Sequence, residues 1–160
     1  MNKKSIILGI DPGLNRTGWG IIHSAGDSYY YKACGSIVTS SDTDLSMRLL
    51  KIFNGIIEVI RLHSPIAVAI EETYVNSNSK TSLHLAHARA AAIIAVANMG
   101  MIPTPYQSKT AKKVLTGSGN ADKDIVAKML KLRLIQFEGV NDKDAVDALS
   151  IAFCHAHMVI

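Results

Sequence analysis

Acidic residues directly follow two of the most apolar segments of this 160-residue sequence. Asp11 comes after the run 6–10, and Glu71 and Glu72 come after the run 66–70. Charged side chains are normally exposed, so acids at the ends of buried segments need an explanation. In α/β sheets the carboxyl ends of the strands form the ligand crevice. The pattern therefore predicts acids in such a crevice, and it leaves the choice between Glu71 and Glu72 open.

A second acidic pair lies in an otherwise apolar segment, residues 142–157. Asp144 and Asp147 are three residues apart, so on a helix they project from one face. Asp142 is explained as the N-cap of that helix, where an acid also interacts favourably with the helix dipole. The same explanation accounts for Asp144 only in part and for Asp147 poorly.

Carboxylates gathered at one place repel each other unless a cation lies among them. The sequence has no Cys or His spacing typical of zinc, and oxygen ligands favour Mg²⁺ or Mn²⁺. Two such ions about 3.5–4 Å apart would clamp the attacking and leaving oxygens of a phosphoryl displacement. A glycosidase needs a pair of carboxylates and not a cluster of four. The acids therefore predict metal-dependent phosphodiester chemistry.

Positive charge is concentrated in the segment 109–133. This segment has seven basic and two acidic residues, a net charge of +5, whereas the whole chain carries +4. Lys112 and Lys123 flank the glycine-containing turn 117–119, a position from which they could grip a phosphate backbone. A solvated helix face explains the charge equally well, and the sequence leaves both interpretations open.

Hydrophobic periodicity predicts the elements that position these residues. We expect strands at about 6–10, 18–23, 29–38, 66–70 and 101–106, and helices at about 44–63, 80–98, 109–116, 121–137 and 142–157. Strands come first and later alternate with helices. The order predicts an α/β fold with a mixed central sheet flanked by helices, in a single domain spanning residues 1–160.

Composition excludes several classes of protein. Hydrophobic residues make up 48% and charged residues 19%, which is typical of a globular domain. The longest apolar run, 90–97, is far shorter than the roughly 20 residues that a membrane span needs. No secretory cleavage site follows the N-terminus, and two cysteines, Cys34 and Cys154, fit a reducing compartment. We therefore expect a cytoplasmic protein.

Several segments match, in order, the motifs of one known family. They are Gly9-Ile10-Asp11-Pro12-Gly13, Thr17-Gly18-Trp19-Gly20, Ala69-Ile70-Glu71 with Tyr74, Ala88-Arg89, the segment 117–123 and Asp144-Ala145-Val146-Asp147-Ala148-Leu149. The sequence thereby resembles the RuvC family of Holliday-junction resolvases, and the match spans nearly the whole chain. The resemblance implies a ribonuclease-H-like fold.

The resemblance also implies an activity. It suggests a homodimeric endonuclease that resolves four-way DNA junctions in recombination and repair by paired, symmetric nicks. It implies two Mg²⁺ ions in each active site, which Mn²⁺ can replace, and the RuvA–RuvB branch-migration complex as a partner. Catalytic and metal-binding roles map onto the four acids Asp11, Glu71, Asp144 and Asp147, which favours Glu71 over Glu72.

DNA-binding roles map, through the same resemblance, onto Lys112, Lys123 and Tyr74. The two lysines are expected to contact phosphates. The ring of Tyr74 is expected to stack on bases near the crossover, at a position that is commonly Phe in the family.

Three alternatives compete with this interpretation. Asp11-x-Gly13 followed by Thr17-Gly18-x-Gly20 also resembles the phosphate loop of actin-like and sugar-kinase ATPases, but 160 residues are too few for their second lobe. A related nuclease that acts on RNA is the second alternative. The third is a non-catalytic DNA-binding module, which the intact set of four acids disfavours.

Overall fold

The computed structural model describes residues 5–72 and 77–159. The strands are β1 (Ser5–Asp11), β2 (Arg16–Ala25), β3 (Ser28–Val38), β4 (Ala67–Glu72), β5 (Thr104–Gln107) and β6 (Leu134–Ile135). The helices are α1 (Leu45–His63), α2 (Ser79–Asn98), α3 (Ser108–Thr116), α4 (Lys123–Arg133) and α5 (Lys143–Val159). Among these helices, none is both long and apolar enough to span a membrane.

The six strands form one mixed sheet in the order β5-β4-β1-β2-β3-β6. Strand β2 pairs antiparallel with both β1 and β3, so the first three strands form a meander. On one side β4 pairs parallel with β1, and β5 pairs parallel with β4. On the other side β6 pairs parallel with β3. The predicted α/β fold with a mixed central sheet is confirmed, and the proline-containing strand β5 lies at one edge of the sheet.

Helices cover both faces of the sheet because the central strands are apolar on both sides. Side chains of a strand alternate between faces. Leu8 and Ile10 of β1 therefore belong to a buried cluster that includes Ile56 of α1. Ile7 points to the other face of the sheet and belongs to a second buried cluster, which includes Phe153 of α5. The sheet is thus held between α1 and α2 on one face and α4 and α5 on the other.

Two glycines let helix α5 lie directly on the sheet. A methyl group built at Gly9 of β1 would overlap the carbonyl oxygen of Ala148, and one at Gly18 of β2 would overlap that of Asp144. Larger residues at these strand positions would push the helix away. The first turns of α5 are therefore fixed over the centre of the sheet.

One predicted helix is shorter than the periodicity indicated. The segment 121–137 was expected to be helical throughout, but α4 ends at Arg133. Leu134 is extended and pairs with Tyr29 of β3, and Gln136 adopts a left-handed backbone with φ of 70°. Pairing with a strand far away in sequence therefore overrides the local helical pattern.

Candidate active site

Asp11 and Glu71 are neighbours at the carboxyl ends of two parallel strands. Ile10 of β1 is paired with Ile70 of β4, and each acid is the next residue of its strand. The two carboxyl groups share a hydrogen bond. Glu72 is one residue further along β4, and successive strand side chains point to opposite faces. The strand geometry thus selects Glu71, and not Glu72, as the neighbour of Asp11.

Asp144 and Asp147 approach this pair from helix α5. In the ladder between β1 and β2, Asp11 is paired with Gly18, the residue on which the Asp144 backbone lies. Asp147 follows three residues later on the same face of the helix. The close contact between α5 and the glycine therefore places both aspartates beside the strand-end acids.

The charges of the four acids act on one another. Burial raises the pKa of Asp11 to about 9, with further contributions from the negative charges of Glu71, Asp147 and Asp144. The pKa of Glu71 is also raised. Burial is the larger cause, and the negative charge of Asp147 is the second. Like charges within reach of each other disfavour ionisation. The four carboxyl groups thus form one electrostatic cluster, the acidic cluster.

Two lysines lie at one side of the acidic cluster. Nζ of Lys123 donates a hydrogen bond to Oδ2 of Asp147 at 3.0 Å, and this bond raises the lysine pKa. The positive charges of Lys112 and Lys123 both oppose the upward shift of the Glu71 pKa. The structure therefore brings the predicted lysines to the predicted acids, although they come from α3 and α4. Tyr74 lies outside the described residues.

Arg16 is a cation of this site that the sequence analysis missed. Its Nε donates to Oδ2 of Asp144 at 3.0 Å, and its Nη2 donates to Oδ2 of Asp142 at 3.1 Å. The other oxygen of Asp142 accepts from the backbone N–H groups of Asp144 and Ala145, which confirms the predicted N-cap. The only signal in the sequence was the position of Arg16 five residues after Asp11.

The donor set suits a hard divalent cation, because the four acids offer only carboxylate oxygens. Burial, and next the negative charge of neighbouring acids, raises the pKa values of Asp11 and Glu71, and a bound cation would offset both effects. In the described part of the chain, no group of three or more His, Cys, Asp or Glu side chains is arranged to hold one metal ion as it stands. Asp144 and Asp147 each already give one oxygen to a cation of the protein.

Crevices border the acidic cluster on two sides. One of about 190 Å³ is lined by Lys123 and Asp147, and another of about 390 Å³ is lined by Arg16 and Asp144. A larger cavity of about 550 Å³ lies between β3 and α1, and none of the four acids lines it. The acids therefore border the two smaller crevices and not the largest of these three cavities.

The strand order and the acids at its centre define an α/β protein of the ribonuclease-H-like class. A family model described as crossover junction endodeoxyribonuclease RuvC matches residues 7–155. The chain belongs to this RuvC family. Membership in this family favours the resolvase interpretation of the sequence over the actin-like alternative.

Individual relatives agree with this assignment. The crossover junction endodeoxyribonuclease RuvC of Bradyrhizobium diazoefficiens is 44% identical over 94% of this chain and 86% of its own length. The crossover junction endodeoxyribonuclease RuvC of Agrobacterium fabrum is 39% identical over 98% of this chain and 92% of its own length. Thermus thermophilus RuvC in complex with a Holliday junction substrate superposes with a TM-score of 0.88 at 27% identity, covering 95% of this chain and 93% of that one. A yeast mitochondrial Holliday junction resolvase shares the fold, with a TM-score of 0.65 at 13% identity over 92% of this chain and 76% of that one.

Proposed function

We propose that this chain is a crossover junction endodeoxyribonuclease that resolves four-way DNA junctions in recombination and repair. The observation that carries the proposal is the acidic cluster, in which burial and the charges of three other acids raise the pKa of Asp11 to about 9. Such a cluster is electrostatically unfavourable in an isolated protein. Divalent cations bound among the acids would offset this repulsion. A nuclease that binds such cations, next to a polyanionic DNA substrate, therefore explains why the acids lie together.

Asp11, Glu71, Asp144 and Asp147 are proposed as the metal ligands and catalytic residues. Mg²⁺ is the proposed metal, two ions in each site, and Mn²⁺ is expected to replace it. When bound, the ions would supply Lewis-acid stabilisation for the charge that develops on the phosphate. The carboxylates must be deprotonated to act as ligands, so we expect the shared proton of Asp11 and Glu71 to be lost on loading.

Lys112 and Lys123 are proposed to bind backbone phosphates next to the acidic cluster. Lys123 is more than half exposed in its side chain even though it contacts Asp147. Its ammonium group can therefore contact a phosphate from the solvent side while remaining close to the acids. Phosphate contacts position a strand without reading its sequence. Tyr74 is proposed to stack on an unpaired base beside the crossover.

We further propose that the protein acts as a homodimer, because paired, symmetric nicks need two active sites. Helix α2 offers a surface for the second copy. Leu83, Ala90 and Ile94 are exposed and lie along one face of this helix at spacings of seven and four residues. An exposed apolar stripe of this kind is typical of an interaction surface.

The remaining proposals follow from the family. The RuvA–RuvB branch-migration complex is the expected partner on the junction. The cytoplasm is the expected compartment, and residues 1–160 are expected to fold as one domain.

One cleavage assay tests the main proposal. The purified protein is incubated with Mg²⁺ and labelled four-way junction, linear duplex of the same sequence, or RNA hairpin. We expect cleavage of the junction alone, with nicks on two opposite strands, and no cleavage when EDTA replaces Mg²⁺. Cleavage of the RNA hairpin in preference to the junction would support the related RNA nuclease instead. Junction binding without any cleavage would support the non-catalytic module.

A further inference from the structure

Arg16 and Lys123 contact different acids of the acidic cluster and line different crevices beside it. Arg16 is the first residue of β2, and it reaches Asp144, whereas Lys123 reaches Asp147 one turn further along α5. The acidic cluster therefore has a cationic side chain in each of these crevices. A DNA strand that crosses the cluster would pass both crevices.

The guanidinium group of Arg16 is held in a defined orientation. Its Nη2 donates to Asp142 Oδ2, and the same oxygen accepts a hydrogen bond of 2.6 Å from Oγ of Ser36 in β3. Oδ1 of Asp142 is fixed by the backbone N–H groups of Asp144 and Ala145. A carboxylate bound by three other donors thus aligns the arginine. Such pre-organisation reduces the entropy that a ligand contact would otherwise cost.

This guanidinium group also has room and capacity for a ligand. Two of its N–H groups are engaged with the aspartates, and an arginine carries more donors than these two. The Arg16 side chain is 46% exposed. It lines the crevice of about 390 Å³ together with Asn15, Thr81 and His84, which are polar residues. Arginine forms bidentate hydrogen bonds with phosphate more readily than lysine does.

We propose that Arg16 binds a backbone phosphate of the cleaved strand, in the crevice beside Asp144 and not in the one that Lys123 lines. The inference rests on the proposed junction-cleaving function and adds a binding residue to it. The protein would then bind phosphates of the strand on both sides of the bond that is cleaved. Contacts on both sides fix the position of that bond over the acids.

The competing explanation is that Arg16 only neutralises Asp142 and Asp144. Replacing Arg16 alone does not separate the two explanations, because the variant leaves extra negative charge that would repel DNA. A charge-compensated double variant does separate them. R16A/D142N has the same net charge as the wild type, and Asn retains the N-cap of α5. R61A, at an exposed position of α1, has the same charge change as R16A and is the matched control.

The experiment measures binding of a labelled four-way junction in EDTA over a range of salt concentrations. We expect R16A to weaken binding about five- to tenfold at roughly 0.1 M salt and to reduce the slope of log K against log salt by about one. R16A/D142N should remain similarly weak, whereas R16K should retain the wild-type slope and R61A the wild-type affinity. Circular dichroism melting of each variant verifies that it is folded.

Recovery of wild-type affinity in R16A/D142N would overturn the proposal and leave Arg16 as a counter-ion. Wild-type affinity of R16A itself would overturn it too. These outcomes leave the function intact, because the wild type still binds the junction. If the wild type shows no preference for the junction over duplex, the proposed function fails and the role of Arg16 falls with it.

Discussion

Nζ of Lys123 lies 3.0 Å from Oδ2 of Asp147, so a residue expected to hold DNA and one expected to hold metal share an ion pair. The lysine belongs to the first turn of α4, and the aspartate belongs to α5. Exposed ion pairs contribute little to stability. The pair is better understood as a contact between the proposed phosphate-binding lysines and the acidic cluster, and variants of the two residues test the two proposed roles separately.

The first prediction concerns the acids. Asp147→Asn should reduce junction cleavage by orders of magnitude, because a neutral amide is a weaker ligand for a divalent cation. Junction binding in EDTA should be retained or slightly strengthened, because backbone contacts supply most of the affinity and one negative charge is removed. Glu72→Gln is the matched control, since Glu72 follows Glu71 in β4 and its side chain points to the other face of the sheet, and it should cleave normally. Near-normal cleavage by Asp147→Asn would remove Asp147 from the catalytic set.

The second prediction concerns the lysines. Lys112→Ala and Lys123→Ala should each reduce the slope of log K against log salt by about one, and the double variant by about two, for junctions of any sequence. Lys128→Ala, on the exposed face of α4, is the control and should keep the wild-type slope. The binding isotherms are measured in EDTA. A double variant with the wild-type slope would assign both lysines to an ordinary solvated surface.

The third prediction concerns the contact between α5 and the sheet. Gly18→Ala would place a methyl group against the Asp144 backbone, which has little freedom to move. We expect a loss of about 1–3 kcal/mol in the free energy of unfolding, as for other overpacked sites, and a larger loss of cleavage. Gly55→Ala is the control, because its methyl group meets the flexible end of the Ile37 side chain. Urea denaturation and cleavage rates measure the two effects. Normal cleavage by a stable Gly18→Ala protein would contradict the positioning role of this contact.

Much of the site was predictable because its residues violate local patterns. Asp11 and Asp147 are charged where the hydrophobic periodicity requires apolar side chains, so a single sequence is enough to find them. Arg16 violates no such pattern. Its partners Asp142 and Asp144 lie 126 and 128 residues away, and only the fold brings them together.

Contacts between residues far apart in the sequence also explain where the predicted fold was wrong or incomplete. Helical periodicity continues past Arg133 in the sequence, but pairing of β6 with β3 ends the helix there. The apolar pattern alone likewise left Glu71 and Glu72 open; the family resemblance favoured Glu71, and the register of β4 against β1 places Glu71 beside Asp11. Local propensity predicts the type of each element, whereas long-range pairing determines where elements end and which side chains meet.

The last prediction concerns His155, which is 5% exposed on α5. Its Nδ1 lies 3.0 Å from the Tyr106 hydroxyl of β5, in a buried hydrogen bond. Burial lowers the pKa of His155 below its ordinary value of 6.5. Between the lowered pKa and 6.5, the unfolded chain binds a proton at this residue that the folded chain does not. The free energy of unfolding should therefore rise with pH through this window, and the contribution of His155 should be lost as the pH falls.

Urea denaturation at several pH values between about 5 and 7.5 measures this effect. His155→Gln retains a polar side chain but cannot titrate, so its free energy of unfolding should fall less steeply than that of the wild type as the pH is lowered. Tyr106→Phe is the informative control. It removes the hydrogen bond but keeps His155 buried, so it should be less stable at every pH while retaining the wild-type dependence on pH. Equal pH dependence in the wild type and in His155→Gln would show that the buried imidazole is not the titrating group.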